Sequence, residues 1–516
     1  MSYNFLAYFA LFLPIVILIY QVVPQKFRFV VLLIADYAFF ILISRFLIVY
    51  LLFATVLTFL FGLWIEKISL MEDLSSKEKT KKKRKVLALG IIINILIILV
   101  LKYTNFFGGA VVDFIRIFNK NVEFRPIRFL VPIGISFYTL QIISYLTDVY
   151  RGTQKAEHKI VKIALYLSFF PQIMEGPIAR YHETADALYE GKPIQFNNLK
   201  FGYQRIIWGL FKKIVIADRI FPAVKYIYRD YYMLDGSIVF FGAVVYTCQL
   251  YMEFSGAMDI IMGSGEIFGI NLPENFRQPF FARTAGDFWR RWHITLGTFF
   301  KDYIFYPVSL AKPVKKTAKK IKDKCGKTVG KFVAPTVALF CVWVCNGLWH
   351  GANWTFLFYG MYYFVIIFIE NITENPIKKL NEKLHIKTTN WLYRGLRTVK
   401  IFVIIVIGEM FYRADTLKQG FQMFGRIFSD FHITQLFRKF GTLRVDWLDI
   451  FIAVLGVIVV TVIGVLCEKN IKVREKIDGW KLPLRWALWL GLIMFIVIFG
   501  AYGSGYAAVD LIYAGY

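Results

Sequence analysis

The stretch Cys345-Asn346-Gly347-Leu348-Trp349-His350-Gly351-Ala352-Asn353-Trp354 separates two long apolar runs, residues 332–349 and 352–370. Each run is close to the ~20 residues an α-helix needs to cross about 30 Å of hydrocarbon. The reading is two membrane helices joined by a tight turn. A bilayer interior penalises ionisable groups, so an imidazole at that turn is a functional-site candidate. Gly347, Gly351 and Ala352 permit close backbone approach or a break in the helix, as a substrate channel requires. Asn346 precedes His350 by four residues and projects from the same helix face. It is placed to hold a ring nitrogen and fix its tautomer, or to bridge two helices.

The same apolar pattern recurs along the chain. Candidate spans lie near residues 4–20, 27–45, 47–64, 86–102, 127–146, 160–174, 236–254, 332–349, 352–370, 399–412, 448–467 and 484–501. Stretches near 203–221, 257–270 and 288–306 are shorter or amphipathic and read as re-entrant or interfacial. Hydrophobic residues make up 57% of the chain and the mean hydropathy is +0.53, far from a soluble domain of this length. The fold expected is all-α and polytopic, a single membrane-embedded body over residues 1–516 with roughly 11–14 spans.

The net charge of +27 is clustered rather than spread. Basic groups fall at residues 77–85, 312–324, 378–387 and 468–481. Short basic loops beside apolar helices follow the positive-inside bias and belong in the cytoplasm, which makes nucleic-acid binding the wrong inference. Contact with anionic lipid is a side effect of the same placement. The N-terminus, Met1-Ser2-Tyr3-Asn4, lacks the basic n-region of a cleavable signal. The five cysteines show neither CxxC nor Cys/His metal spacing, so no metal site is expected. Cys341 and Cys345 share a helix face and read as packing, with an acyl-carrying thiol as the alternative.

Three crossings before the 67–85 loop put the N-terminus outside, and one crossing after the 468–481 loop leaves the C-terminus outside. The basic 312–324 and 372–387 loops make residues 332–370 a hairpin that rises from the cytoplasm and returns to it. Eighteen helical residues rise roughly 27 Å, which sets His350 deep or toward the outer face.

His293 is one of only six histidines. Its neighbourhood, Phe288-Trp289-Arg290-Arg291-Trp292-His293, mixes arginine with tryptophan as interfacial segments do. Glu175, in Phe170-Pro171-Gln172-Ile173-Met174-Glu175-Gly176-Pro177, needs a partner if buried, and Arg180 is a plausible mate. Gln249, Glu253 and Asp259 close an apolar run, either as a proton relay or as ties between helices. The loop Asn271-Leu272-Pro273-Glu274-Asn275-Phe276-Arg277-Gln278-Pro279-Phe280 says little by itself.

Taken in order, these stretches closely resemble the membrane-bound O-acyltransferase family. The carrying segments are Pro132-Ile133-Gly134-Ile135-Ser136-Phe137-Tyr138-Thr139, Glu175-Gly176-Pro177, residues 209–219, Glu253-Phe254-Ser255-Gly256, residues 275–280, residues 288–293, and Gly347-Leu348-Trp349-His350-Gly351. The likeness runs from about residue 5 to 415. It is best to the branch of alginate O-acetyltransferase membrane subunits and teichoic-acid D-alanyl transferases. Residues 415–516, with Tyr502-Gly503-Ser504-Gly505, look like the alginate type. Gly408-Glu409-Met410-Phe411-Tyr412-Arg413-Ala414-Asp415 departs from the usual tryptophan-bearing form of that motif.

The resemblance implies acyl transfer across the bilayer, most simply of acetyl, from a cytoplasmic thioester (acetyl-CoA or an acyl-carrier protein) to an outer polysaccharide or cell-wall acceptor. It implies no bound cofactor and an extracytoplasmic, esterase-like partner that completes the transfer. By position His350 matches the family's catalytic histidine, and His293 its second functional one. Imidazole titrates near neutrality and suits removal of an acceptor proton. Asn346, Trp349 and Glu253 are expected to orient it or line its channel, and Arg290, Arg291 and Trp292 to hold the donor. D-alanyl transfer is an alternative of the same class, and a polysaccharide or lipid transporter one of another class.

Overall fold

The computed structural model describes residues 7–502. Every regular element among them is helical. Among the described residues seven helical stretches are long and apolar enough to cross a membrane: Gln25–Leu70, Ser76–Arg116, Gly236–Ile267, Lys327–His350, Trp354–Lys383, Trp447–Glu468 and Leu482–Phe499. A shorter apolar helix occupies Tyr8–Val22. The first of the seven breaks at Arg45, where φ turns to +50°, into helices Gln25–Ser44 and Ile48–Leu70. Each of these still rises about 30 Å or more. The Trp447–Glu468 helix leaves Phe451, Val454, Ile458 and Val462 exposed, and the Leu482–Phe499 helix leaves Leu490, Met494, Val497 and Ile498 exposed. In water such apolar faces would be a liability; in a bilayer they meet acyl chains.

Besides the 4–20 run, whose described part is the short helix Tyr8–Val22, three further expected spans change. Near 127–146 no helix starts until Ile135, because Pro132 and the left-handed Gly134 (φ +72°) end the extended segment there. The Ile135–Arg151 helix is apolar because protein buries it. Near 160–174 the helix Ile160–Ser168 has nine residues, too few to cross, and all of its last six are buried. Near 399–412 the helix is Trp391–Arg413, whose first turns carry Arg394, Arg397 and Lys400. In each case hydrophobicity alone did not distinguish a protein core from a lipid-facing span. Residues 1–4 and Gly503-Ser504-Gly505, used above for the termini and the C-terminal motif, lie outside the described residues.

The described residues form two compact units, one of residues 7–206 and 258–273, the other of 207–257 and 274–502. In the first unit Tyr8, Phe12, Phe39 and Phe170 form an aromatic cluster. Asp36, fully buried beside it, accepts from the Phe170 amide at 2.7 Å and from the Ser168 hydroxyl at 3.2 Å, which offsets part of its desolvation. Glu175 and Arg180 are both buried in this unit. Asp259 pairs with Arg205 at 2.9 Å.

The second unit holds the hairpin. The Lys327–His350 and Trp354–Lys383 helices pack at glycine contacts. A Cβ on Gly347 would lie 2.5 Å from the Phe356 carbonyl oxygen, and one on Gly360 would lie 2.3 Å from the Trp343 oxygen. Only glycine allows that approach, and it fixes where His350 ends its helix. Asn353 caps the returning helix by accepting from the Thr355 amide at 3.1 Å.

Candidate functional site

His350 is the last residue of its helix and 6% exposed. Aromatic rings surround it: Trp349 at 5.0 Å, Tyr412 at 5.2 Å and Tyr359 at 5.8 Å between centroids, all near perpendicular. The Tyr412 hydroxyl stands 3.4 Å from His350 Nδ1. Tyr359 donates from its hydroxyl to Glu409 Oε1 at 2.9 Å. Glu409 and Tyr412 lie three residues apart on the Trp391–Arg413 helix and therefore face the same side. Asn346 is buried one turn before His350, and its amide nitrogen has no hydrogen-bond partner among the described residues. The residue that meets Nδ1 is Tyr412, and neither it nor Glu409 was singled out as a site residue from the sequence.

His293 reaches the same place from the other direction. Its ring centroid is 5.5 Å from that of Trp349, so one indole touches both imidazoles. The segment that carries it is pinned in three ways. The carboxylate of Glu370 accepts from the amides of Ala285 and Gly286 at 2.8 and 3.3 Å, at the start of the helix Ala285–Trp289. An isolated antiparallel bridge pairs Phe276 with Trp292, with Arg277 donating its amide to Arg291 O at 2.9 Å and Ile294 to Asn275 O at 3.0 Å. Finally, His293 takes a left-handed conformation, φ +47° and ψ +53°, as the cap of the Ile294–Phe300 helix. Such a conformation is uncommon for a residue with a side chain and persists where surroundings over-determine it.

The imidazole of His293 is 3% exposed, with Phe254 edge-on at 4.9 Å. Its Nδ1 lies 3.1 Å from Asn275 Oδ1. Burial holds this ring well below the ordinary histidine range, and the electrostatic influence of nearby His350 acts in the same direction.

The remaining expected site residues are placed differently from one another. Trp292 is buried against Phe276, Phe288 and Tyr251, part of an aromatic cluster under His293. The guanidinium of Arg291 meets Asp287 at 3.2 Å and Glu468 at 2.6 Å. Arg290 is exposed, 3.8 Å from Asp287. Glu253 meets Lys213 at 3.6 Å, with Asp218 on the same ammonium at 3.2 Å. Beside it Lys212 donates to Ser255 at 3.0 Å. These contacts tie the π-helical segment Phe211–Ala217 to the Gly236–Ile267 helix.

Among the described residues, Asp235, Asp430 and His432 have metal-ligand spacing, with ligand atoms within 4.8 Å of one another. His432 Nδ1 is 2.9 Å from Asp235 Oδ2, and the amides of Ser237 and His432 donate to Asp235 Oδ1 at 2.8 and 3.1 Å. These bonds account for the cluster as a latch at the start of the Gly236–Ile267 helix.

Two buried imidazoles separated by one indole, one anchored by an amide oxygen and the other by a phenol, suit proton handling in a dry site. Comparison with known proteins bears on which reaction this is. The sequence profile of the membrane-bound O-acyltransferase family matches residues 37–321, more than half of the chain. A probable alginate O-acetylase of Azotobacter vinelandii is 31% identical over 420 residues, 81% of this chain and 76% of that protein. A peptidoglycan O-acetyltransferase of Helicobacter pylori is 29% identical over 66% of this chain and 64% of that protein. A teichoic acid D-alanyltransferase of Bacillus subtilis is 28% identical over 48% of this chain and 60% of that protein. With its several membrane-length helices, the chain belongs to the membrane-bound O-acyltransferase family and is a multi-pass membrane O-acyltransferase.

Proposed function

We propose that this protein moves an acetyl group from a cytoplasmic thioester to a hydroxyl of an extracytoplasmic polysaccharide or cell-wall polymer, with His350 as the base. The observation that carries the reading is the shared contact of Trp349 with both imidazoles, His293 and His350. His350 Nε2 takes the acceptor's hydroxyl proton as the oxygen attacks the thioester carbon; the C–S bond breaks and the proton passes to the departing thiolate. Tyr412, by accepting from Nδ1–H, keeps Nε2 as the nitrogen with the lone pair. Burial of the ring among Trp349, Tyr359 and Tyr412 keeps the reacting proton from bulk water.

His293 and the exposed Arg290 serve the donor side, Arg290 offering its guanidinium to donor phosphates. Acetyl is favoured over D-alanyl because the O-acetylase relatives align over 81% of this chain and the D-alanyltransferase over 48%. The basic loops support a reading in which the donor side of this multi-pass cell-membrane protein faces the cytoplasm and both termini are extracytoplasmic. An extracytoplasmic partner completes delivery to the polymer. No bound cofactor is required by this chemistry.

The test is transfer of labelled acetyl from acetyl-CoA in membranes carrying His350→Ala. We expect turnover to fall by about 10²-fold or more, the scale of general-base assistance. Wild-type turnover by a correctly inserted variant removes the base assignment, and labelled D-alanyl transfer from a loaded carrier protein in its place reassigns the acyl group.

A further inference from the structure

Asn275 Oδ1 is shared by three neighbours. Besides His293 Nδ1 at 3.1 Å, it meets the Thr295 backbone amide at 3.1 Å and the Thr295 hydroxyl at 3.0 Å. A backbone N–H can only donate, so the atom it meets must be the amide oxygen and not the nitrogen. An oxygen at that position requires His293 Nδ1 to carry the hydrogen. In a neutral ring this leaves Nε2 as the lone-pair nitrogen. Asn275 is itself fully buried. Its backbone is fixed by the Ile294 amide, which donates to Asn275 O at 3.0 Å. The left-handed backbone of His293 aims the ring at this oxygen.

We propose that Asn275 is a positioning residue for the acyl donor: it locks His293 in the Nδ1–H tautomer so that Nε2 accepts a hydrogen bond from an N–H of the donor's pantetheine arm. Both sources of such an arm, coenzyme A and a carrier protein, carry amide N–H groups next to the thioester. The inference rests on the reading of the chain as an enzyme using a thioester donor. It does not depend on His350 being the base. Around His293 stand the titratable His350, across Trp349, together with Phe254 and Asn275. Replacing the amide by a carboxylate therefore introduces a new charge against Nδ1. The carboxylate would stabilise the doubly protonated ring, raise its titration point and turn Nε2 from acceptor into donor.

The experiment uses full-length protein in detergent micelles with nitrogen-15 in its histidines, His293 being assigned by its loss in His293→Gln. At pH 7 the wild-type ring should show a protonated Nδ1 and an unprotonated Nε2. In Asn275→Asp both nitrogens should be protonated at pH 7, with Nε2 losing its proton as pH rises. In Asn275→Ala the Nδ1–H form should no longer dominate. In parallel, donor KM with acetyl-CoA, and with an acyl-loaded carrier protein, should rise about tenfold in both variants, the worth of one hydrogen bond. The rise in Asn275→Asp should fade at alkaline pH; that in Asn275→Ala should not. A wild-type ring protonated at Nε2, or an unchanged tautomer in Asn275→Ala, overturns the proposal. So does a pH-independent KM change shared equally by both variants, since that marks a purely structural role. An active His350→Ala enzyme with the expected His293 spectra overturns the base assignment alone.

Discussion

Tyr359 and Glu409 offer a quantitative test of how the wall beside His350 is held. Tyr359 is 2% exposed and Glu409 1%, and the hydroxyl donates to Oε1 at 2.9 Å. The other carboxyl oxygen, Oε2, has no hydrogen-bond partner among the described residues. Tyr359→Phe thus removes the hydrogen bond described for a fully buried carboxyl group, at a cost of about 1–3 kcal/mol. Glu409→Leu strands only a neutral hydroxyl and brings a side chain suited to the surroundings, at a cost nearer 1 kcal/mol. The double variant strands neither group. It should therefore cost less than the sum of the single changes by about 1–2 kcal/mol. The measurement is unfolding of the purified protein in mixed micelles of increasing denaturing detergent, followed by tryptophan fluorescence for all four proteins of the cycle. Additivity within about 0.5 kcal/mol would refute the claim that these side chains form one energetic unit. Because the Tyr359 ring is edge-on to His350, Tyr359→Phe should also lower acetyl turnover while leaving donor KM close to that of the wild type.

The hairpin contact makes a steric prediction. Gly360→Val places a branched side chain where a single Cβ would already stand 2.3 Å from the Trp343 oxygen. It should destabilise the protein by about 3 kcal/mol or more and abolish transfer, whereas Gly395→Ala, with nothing within 4 Å, should be neutral or stabilising by up to about 1 kcal/mol. The Asp235 latch makes a pH prediction. Burial acts to raise the Asp235 carboxyl, but bonds from Ser237 and His432 outweigh it and hold the group well below the usual carboxylate range. A depressed folded value gives stability that is present above about pH 4 and lost as pH falls toward the folded value. Unfolding measured from pH 6 down to pH 2 should show that acid loss in the wild type and a flatter profile in Asp235→Asn.

The sequence made the hairpin and its histidine legible because the bilayer is a strict solvent. Few arrangements satisfy a run such as 332–349 followed by a histidine, two small residues and a second run. What it hid is non-local. Asn346 is visible as a neighbour of His350 through helical spacing alone, yet the hydroxyl at Nδ1 belongs to Tyr412, 62 residues further on. Arg291 reads as a donor-binding cation until Glu468, 177 residues away, is found at 2.6 Å. Asn275 sits in a loop whose sequence carries no periodic signal, and its role appears only once that loop is bridged to the His293 segment. The Ile160–Ser168 run reads as a span for a related reason, since it is apolar through burial in protein rather than in lipid.

One of the missed residues was nonetheless within reach of the rule that singled out His350. Glu409 follows Ile401-Phe402-Val403-Ile404-Ile405-Val406-Ile407-Gly408, an ionisable group at the end of an apolar run. As a departure from a motif Glu409 says little; the physical question is what holds a carboxyl group there. Spacing then supplies the next step, because Glu409 at i brings Tyr412 at i+3 onto the same face. A buried acid and a phenol on one helix face, in a chain with only six histidines, point to the imidazole that the phenol meets. Polar exceptions inside apolar runs, taken together rather than singly, are thus where a membrane sequence discloses its site.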